Sequence, residues 1–272
     1  NIVFGYIELN MFYMNKLSDE LANAWVSKTH IDLNNFDKNE IPSSREEAYE
    51  ALNLFYKKIK QKTVGWKIGA VAKKVQIEEG FDGTVPGKIF ENSILHSKCE
   101  INYKDIPFSN IECEYALKFD QDYKINDDLV NNLENIKLFT AIDITSSRYE
   151  QNSKSNFNKL TQMYLGIADH GNGGKIIIGN EIKNWININV NNVKIKLNIN
   201  NQIIEPFFTG EKRIDPRFSL KAFVDEFKDK DIAFKKGDYL LCGSLIQPYN
   251  IKEKDHININ YENLGKFEIK II

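Results

Sequence analysis

The stretch IECEYALKF, residues 111–119, alternates apolar and polar side chains with the period of a β-strand. Ile111, Cys113, Tyr115, Leu117 and Phe119 fall on one face, and Glu112, Glu114, Ala116 and Lys118 on the other. Two carboxylates two residues apart therefore stand side by side. Either that face is solvated, as carboxylates usually are, or it gathers oxygen ligands around a hard cation.

The stretch LFTAIDITSSRY, residues 138–149, supplies a third acid. Asp143 lies between Ile142 and Ile144 in a run apolar enough to be a buried strand. An unpaired carboxylate there would be costly, so Asp143 needs a partner. Arg148 would make the pair purely structural; a divalent cation shared with Glu112 and Glu114 would make it a site. Three carboxylates without a nearby His or Cys favour Mg²⁺, Mn²⁺ or Ca²⁺ over zinc. Such a site keeps water positions that a 2-oxo acid can fill with its carboxylate and keto oxygens.

Two further segments carry chemistry-bearing residues. In VGWKIGAVAKK, residues 64–74, Lys67 is flanked by Trp66 and Ile68 and bracketed by Gly65 and Gly69. It is either a surface lysine with a buried stem, or an ammonium that holds a substrate carboxylate or acts as an acid. In GIADHGNGGKIIIG, residues 166–179, Asp169 and His170 precede three glycines without phosphate-loop spacing. This is a turn into a strand, or a site where backbone approaches a ligand and His170 moves protons. His30, His96 and His256 have no ligand spacing.

The 272 residues suffice for one large domain or two small ones. A net charge of −2 gives no electrostatic case for nucleic acid or an anionic membrane. Cys99, Cys113 and Cys242 are far apart with no CxxC pair, against a disulfide framework or zinc site and in keeping with a cytoplasmic protein. The apolar opening is interrupted by Glu8, lacks a basic start and is too short to span a bilayer.

Residues 1–13 read as an extension and 14–272 as one domain, helical over 14–62 and mainly β over 63–272. Residues 17–28 predict a helix capped by Ser18, and residues 43–62 a stronger one capped by Ser43 or Ser44. Strands are expected at 175–179, 185–190, 193–199, 239–244, 256–261 and 267–272, with helical breaks near 128–136 and 219–230. A hairpin is expected within 187–201. The class is α+β with a mostly antiparallel sheet system.

Taken in order, REEAYEAL, GWKIGA, IECEYALKF, AIDITSSRY, GIADHGNGG and FKKGDYLLCGSLIQPYNI resemble the fumarylacetoacetate hydrolase superfamily. Within it they are most similar to the 2-keto-4-pentenoate hydratase and 4-oxalocrotonate decarboxylase branch, from about Met14 to the C-terminus. The resemblance implies a mixed β-roll core of the fumarylacetoacetate hydrolase C-terminal type with N-terminal and flanking helices, usually in homo-oligomers. It implies that Glu112, Glu114 and Asp143 hold Mg²⁺ or Mn²⁺, that Lys67 is catalytic, and that Asp169 and His170 bind substrate. The reaction implied is that of a lyase on a small 2-oxo acid, as in aromatic catabolism. It hydrates a 2-hydroxydienoate or decarboxylates a 2-oxo-enedioate through a metal-held enolate.

Four positions depart from the family pattern. Asp143 replaces a glutamate, Ser146 stands where an acid follows, His170 replaces an asparagine, and Val85 stands near the acid of hydratases. Loss of that acid tilts the reading toward decarboxylation. The same departures also admit a catalytically inactive relative that serves as a binding or structural protein.

Overall fold

The computed structural model describes the backbone of residues 2–272 and the side chains of residues 13–272. Two long helices come first, α1 (Ile2–Ser27) and α2 (Arg45–Ile59). Then follow β1 (Thr63–Gly69), α3 (Lys73–Glu79), β2 (Val85–Phe90), β3 (Ile94–His96) and β4 (Lys98–Ile101). The middle of the chain holds β5 (Ser109–Phe119), β6 (Tyr123–Lys124), β7 (Ile136–Ser146), α4 (Gln151–Lys154), α5 (Lys159–Ala168) and β8 (Lys175–Ile182). Next are β9 (Ile195–Ile199), β10 (Gln202–Ile204), α6 (Pro216–Phe227), β11 (Ala233–Phe234) and β12 (Tyr239–Leu241). The chain closes with β13 (Tyr249–Asn250), β14 (His256–Tyr261) and β15 (Gly265–Ile271).

The main sheet runs β2-β1-β12-β5-β7-β8-β3, with β13 also paired to β5. A second sheet runs β10-β9-β14-β15-β4. The odd-numbered face of β5, from Ile111 to Phe119, is sealed into the large core with Leu197, Ile257, Ile259 and Phe267 of the second sheet. The expected α+β class with a curled, mixed sheet and flanking helices is the observed one.

Helix α2 begins as its sequence dictates. Ser44 Oγ accepts from the Glu47 amide at 3.2 Å, acids fill the first turn, and Lys57 and Lys58 fill the last. Its Ala48, Ala51, Leu52 and Phe55 pack with Met14, Leu17, Leu21 and Ala24 of α1 in a second core, which α5 completes. Ser18 does not cap α1: its hydroxyl donates back to the Asn15 carbonyl at 2.8 Å, inside a helix that starts at Ile2. The reading of residues 1–13 as an extension falls largely on side chains outside the described residues; the backbone there is continuous α1.

Three local expectations are corrected. Residues 185–190 form 3₁₀ turns rather than a strand, with the buried Trp185 indole donating to the Ile136 carbonyl at 2.8 Å. The asparagine-rich hairpin turns later than expected, at Asn200 and Asn201, both left-handed, joining β9 to β10. Helix α6 starts at Pro216, because Asp215 accepts from the Arg217 amide at 2.9 Å and proline suits the first turn. Residues 128–136 give one 3₁₀ turn, and α5 was not anticipated. Among the described residues no helix is long and apolar enough to cross a membrane.

Candidate metal centre

Strand register assembles the site. Antiparallel β5 and β7 set Glu112 directly opposite Asp143, and Glu114 opposite Ala141. Opposed residues share a face, so Asp143 joins both glutamates on the side away from the large core. On the other flank of β5, Ala116 pairs with Leu241 of β12, which pairs with Lys67 of β1. Lys67 therefore lies on the same face, one step along from Glu114.

Gly65 makes that approach possible. Its φ is +136°, and a Cβ there would stand 2.0 Å from the Tyr239 carbonyl oxygen of β12. The β1–β2 register shifts between Thr63 and Trp66. Only glycine tolerates this backbone at so close a contact.

One ligand oxygen from each of Glu112, Glu114 and Asp143 lies within 4.8 Å of the others. Lys67 Nζ donates to Asp143 Oδ2, with both side chains buried. Glu114 Oε2 accepts from the Gly243 amide at 2.9 Å, and Ser244 supports Glu112. Asp143 Oδ1 is buried without a hydrogen-bond partner.

Three carboxylates thus face one ammonium. Burial and the neighbouring Asp143 push Glu112 up to about 7. Burial, Asp143 and Glu112 raise Glu114 well above the usual carboxylate range. Burial by itself would lower the Lys67 pKa, but Asp143, Glu112 and Glu114 outweigh it and hold the ammonium protonated. The residual negative charge and the bare Asp143 oxygen are what a divalent cation would neutralise, and an all-oxygen donor set suits a hard ion. The residues fit such an ion.

The cluster opens into a cavity of about 360 Å³. Val71, Phe81, Val85, Phe108 and Ile214 form its apolar wall. Asn110, Thr145, Ser147, Gln151, Lys154 and Asn172 contribute polar groups that the sequence reading passed over. Asn110 and Thr145 could have been found by extending the alternation two residues beyond Glu112 and Asp143. Lys154 and Asn172 left no comparable signal.

The partner considered for Asp143, Arg148, goes elsewhere. Its guanidinium pairs with the fully buried Asp169, whose carboxylate also accepts from the Arg148 amide at 2.9 Å. Arg148 further donates to the Gly173 carbonyl at 2.7 Å and to the Ser146 carbonyl. Asp169 therefore anchors the turn after α5 and does not line the cavity. His170, expected at the substrate, also lies behind the wall. Its ring packs against Trp25, Phe55, Tyr56 and Phe90, and neither ring nitrogen has a partner. The adjoining Gly171 and Asn172 do reach the cavity. Ser146 is buried, donating to the Pro107 carbonyl at 2.7 Å.

By sequence, no family model and no curated protein matches the chain. By structure, 4-oxalocrotonate decarboxylase from Pseudomonas putida G7, complexed with magnesium and adipate, superimposes with a TM-score of 0.80 at 15% identity, covering 95% of this chain and 97% of that one. A protein assigned to the fumarylacetoacetate hydrolase family from Yersinia pestis CO92 gives 0.54 at 18% identity, covering 76% and 92%. The 2-hydroxyhepta-2,4-diene-1,7-dioate isomerase of Mycobacterium marinum gives 0.52 at 12% identity, covering 77% and 75%. The chain has the mixed β-roll fold of the fumarylacetoacetate hydrolase type, shared over nearly its whole length with 4-oxalocrotonate decarboxylase.

Proposed function

We propose that the chain is a divalent-metal-dependent lyase acting on a small 2-oxo acid, with Glu112, Glu114 and Asp143 holding Mg²⁺ or Mn²⁺. The observation that carries this reading is the convergence of Glu112, half-buried, with the buried Glu114, Asp143 and Lys67 in the wall of one cavity. The neighbouring decarboxylase, solved with magnesium and adipate and again with calcium and acetate, agrees with it.

Bound there, the cation would supply Lewis acidity toward the substrate's carboxylate and keto oxygens. Lys67 provides a fixed positive charge and a proton beside that position, held by its bond to Asp143. Val71, Phe81 and Val85 form an apolar stretch of the wall and carry no group that could activate water. That wall suits loss of CO₂ better than addition of water, so decarboxylation is preferred to hydration. Asp169 and His170 act on the site only by setting the backbone of Gly171 and Asn172.

The test is calorimetry of Mg²⁺ and Mn²⁺ binding, with and without oxalate, on the wild type and Glu114→Ala. Metal should bind, oxalate should tighten it, and the substitution should weaken both by at least about a hundredfold. Absence of metal binding in the wild type would sink the enzymatic reading and favour a binding or structural protein.

A further inference from the structure

A second cavity, of about 60 Å³, shares a wall with the first. Three chain segments contribute to both. Phe108, Ser147 and Asn172 line the larger cavity, and their near neighbours Pro107, Arg148 and Gly174 line the smaller. The smaller one has room for about four water molecules, or for a single anion with four oxygens. Glu112, Glu114 and Asp143 do not reach it.

The charged residues in its wall are Lys28, Arg148, Lys175 and Asp105. Arg148 is already paired with the buried Asp169, which also acts on Lys154. That leaves Lys28 and Lys175 with Asp105 as the one acid in the wall. Asp105 is exposed, and among the described residues it forms no ion pair within 4.0 Å with either lysine. The excess of positive charge acts on Lys28. Burial lowers its pKa, Asp105 opposes this, and the charges of Lys175 and Arg148 lower it further.

The cations are held near one another by packing and by the backbone. Lys28 Nζ lies 5.1 Å from the Trp25 ring centroid, and Arg148 Cζ lies 5.2 Å from the same ring. The loop after Lys28 is tied to the segment after β7, because the Ile31 amide donates to the Arg148 carbonyl at 2.8 Å. Helix α4 is stapled to the same loop, with Ser153 Oγ accepting from the Leu33 amide at 3.1 Å. Lys175 Nζ is placed by donating to the Asn92 carbonyl at 3.3 Å. Gln61, in the same wall, has its Oε1 buried without a hydrogen-bond partner. Half a turn of that amide exchanges the acceptor for an N–H₂ donor.

We infer that Lys28, Lys175 and Arg148 form a binding site for a small oxyanion of the phosphate or sulfate kind, separate from the metal cavity. The two ammonium groups and the Gln61 amide supply hydrogen bonds. Arg148 supplies charge, since its nitrogens already donate to Asp169, Gly173 and Ser146. A partly desolvated pocket lined mainly by one sign of charge concentrates counter-ions, and charge-assisted bonds hold them. This site does not depend on the metal-centred reading.

Calorimetry on metal-free protein at pH 7 tests it, with phosphate, sulfate and acetate as probes and chloride holding the ionic strength constant. Proteins are the wild type, Lys28→Gln and Lys175→Gln, whose denaturant midpoints in chloride should not fall, because each removes a repulsion. The wild type should bind one phosphate or sulfate at least about tenfold tighter than acetate, and each substitution should weaken that binding at least about tenfold. Saturating phosphate should raise the wild-type denaturant midpoint more than that of either variant. The variants also carry the general stabilising effect of these salts, so the difference reports the bound ion. The inference is overturned if neither phosphate nor sulfate binds saturably, if acetate binds as tightly, or if either variant keeps the wild-type affinity.

Discussion

At the scale of single residues, Asp143 and His170 show opposite solutions to burial. Asp143 is compensated by Lys67 on one oxygen and left without a partner on the other, in a cluster with the two glutamates. His170 is compensated by nothing. Burial, with Arg148, Lys67 and Lys88 adding repulsion, depresses its pKa well below the ordinary histidine value. The folded state therefore binds fewer protons at this position than the unfolded chain does below about pH 6.5. Stability should rise with pH through this window and be lost as pH falls from about 6.5, with a slope of up to about 1.4 kcal/mol per pH unit from this group. Denaturant titrations of the wild type and His170→Asn between pH 7 and 5 check this. Asparagine accepts the left-handed backbone at this position and does not titrate, so its curve should be the flatter one. Equal slopes would assign the acid sensitivity to other groups.

At the scale of elements, the site depends on β1 approaching β12 closely enough to carry Lys67 onto the carboxylate face. Gly65 governs that approach. Gly65→Ala should destabilise the fold by more than about 3 kcal/mol, since the added Cβ meets main-chain atoms and the residue keeps a φ that side chains avoid. Any folded fraction should bind Mn²⁺ more weakly, because β1 must move away from β12. Urea denaturation with metal calorimetry checks both; a stable variant with unchanged metal affinity would show that the bulge is dispensable. The β5–β7 ladder is more robust, because eleven consecutive register pairs hold Glu112 against Asp143.

For the whole molecule, two cores must stay joined for the cavity to keep its shape. One lies between the sheets, and the other packs α1 and α2 against α5. Arg45 of α2 links them. It pairs with Asp82 at 2.8 Å and Glu226 of α6 at 3.2 Å, and donates to the Thr84 carbonyl at 3.0 Å. Tyr164 of α5 donates to Asp82 at 2.6 Å, and Tyr49 and Thr84 both donate to Glu226. Arg45→Met leaves Glu226 and Asp82 without their cation and should cost about 2 kcal/mol. Hydrogen exchange should quicken in α2 and α6 while β5 and β7 stay protected. Uniform quickening across the sheet would mean that the two cores open as one unit.

Local patterns were legible where neighbours in the chain carry the cause. The alternation at 111–119 places both glutamates on one face, Ser44 with its acids starts α2, and the three acids leave a hard-cation cluster as one of two readings beside a structural pairing of Asp143. The expectations that shifted depended on distant partners. The hairpin settled at Asn200 and Asn201 because β9 and β10 register there, and Trp185 turned inward to bond Ile136. Arg148, five residues from Asp143, pairs with Asp169, while Lys67, 76 residues away, pairs with Asp143. Periodicity and capping act over one turn or a few strand residues, so a linear chain displays them. Which charge meets which, and that Lys154 lines the same cavity as the carboxylates, depends on the register of β1, β12, β5 and β7 and on the stapling of α4. Those are long-range pairings that no stretch of sequence contains alone.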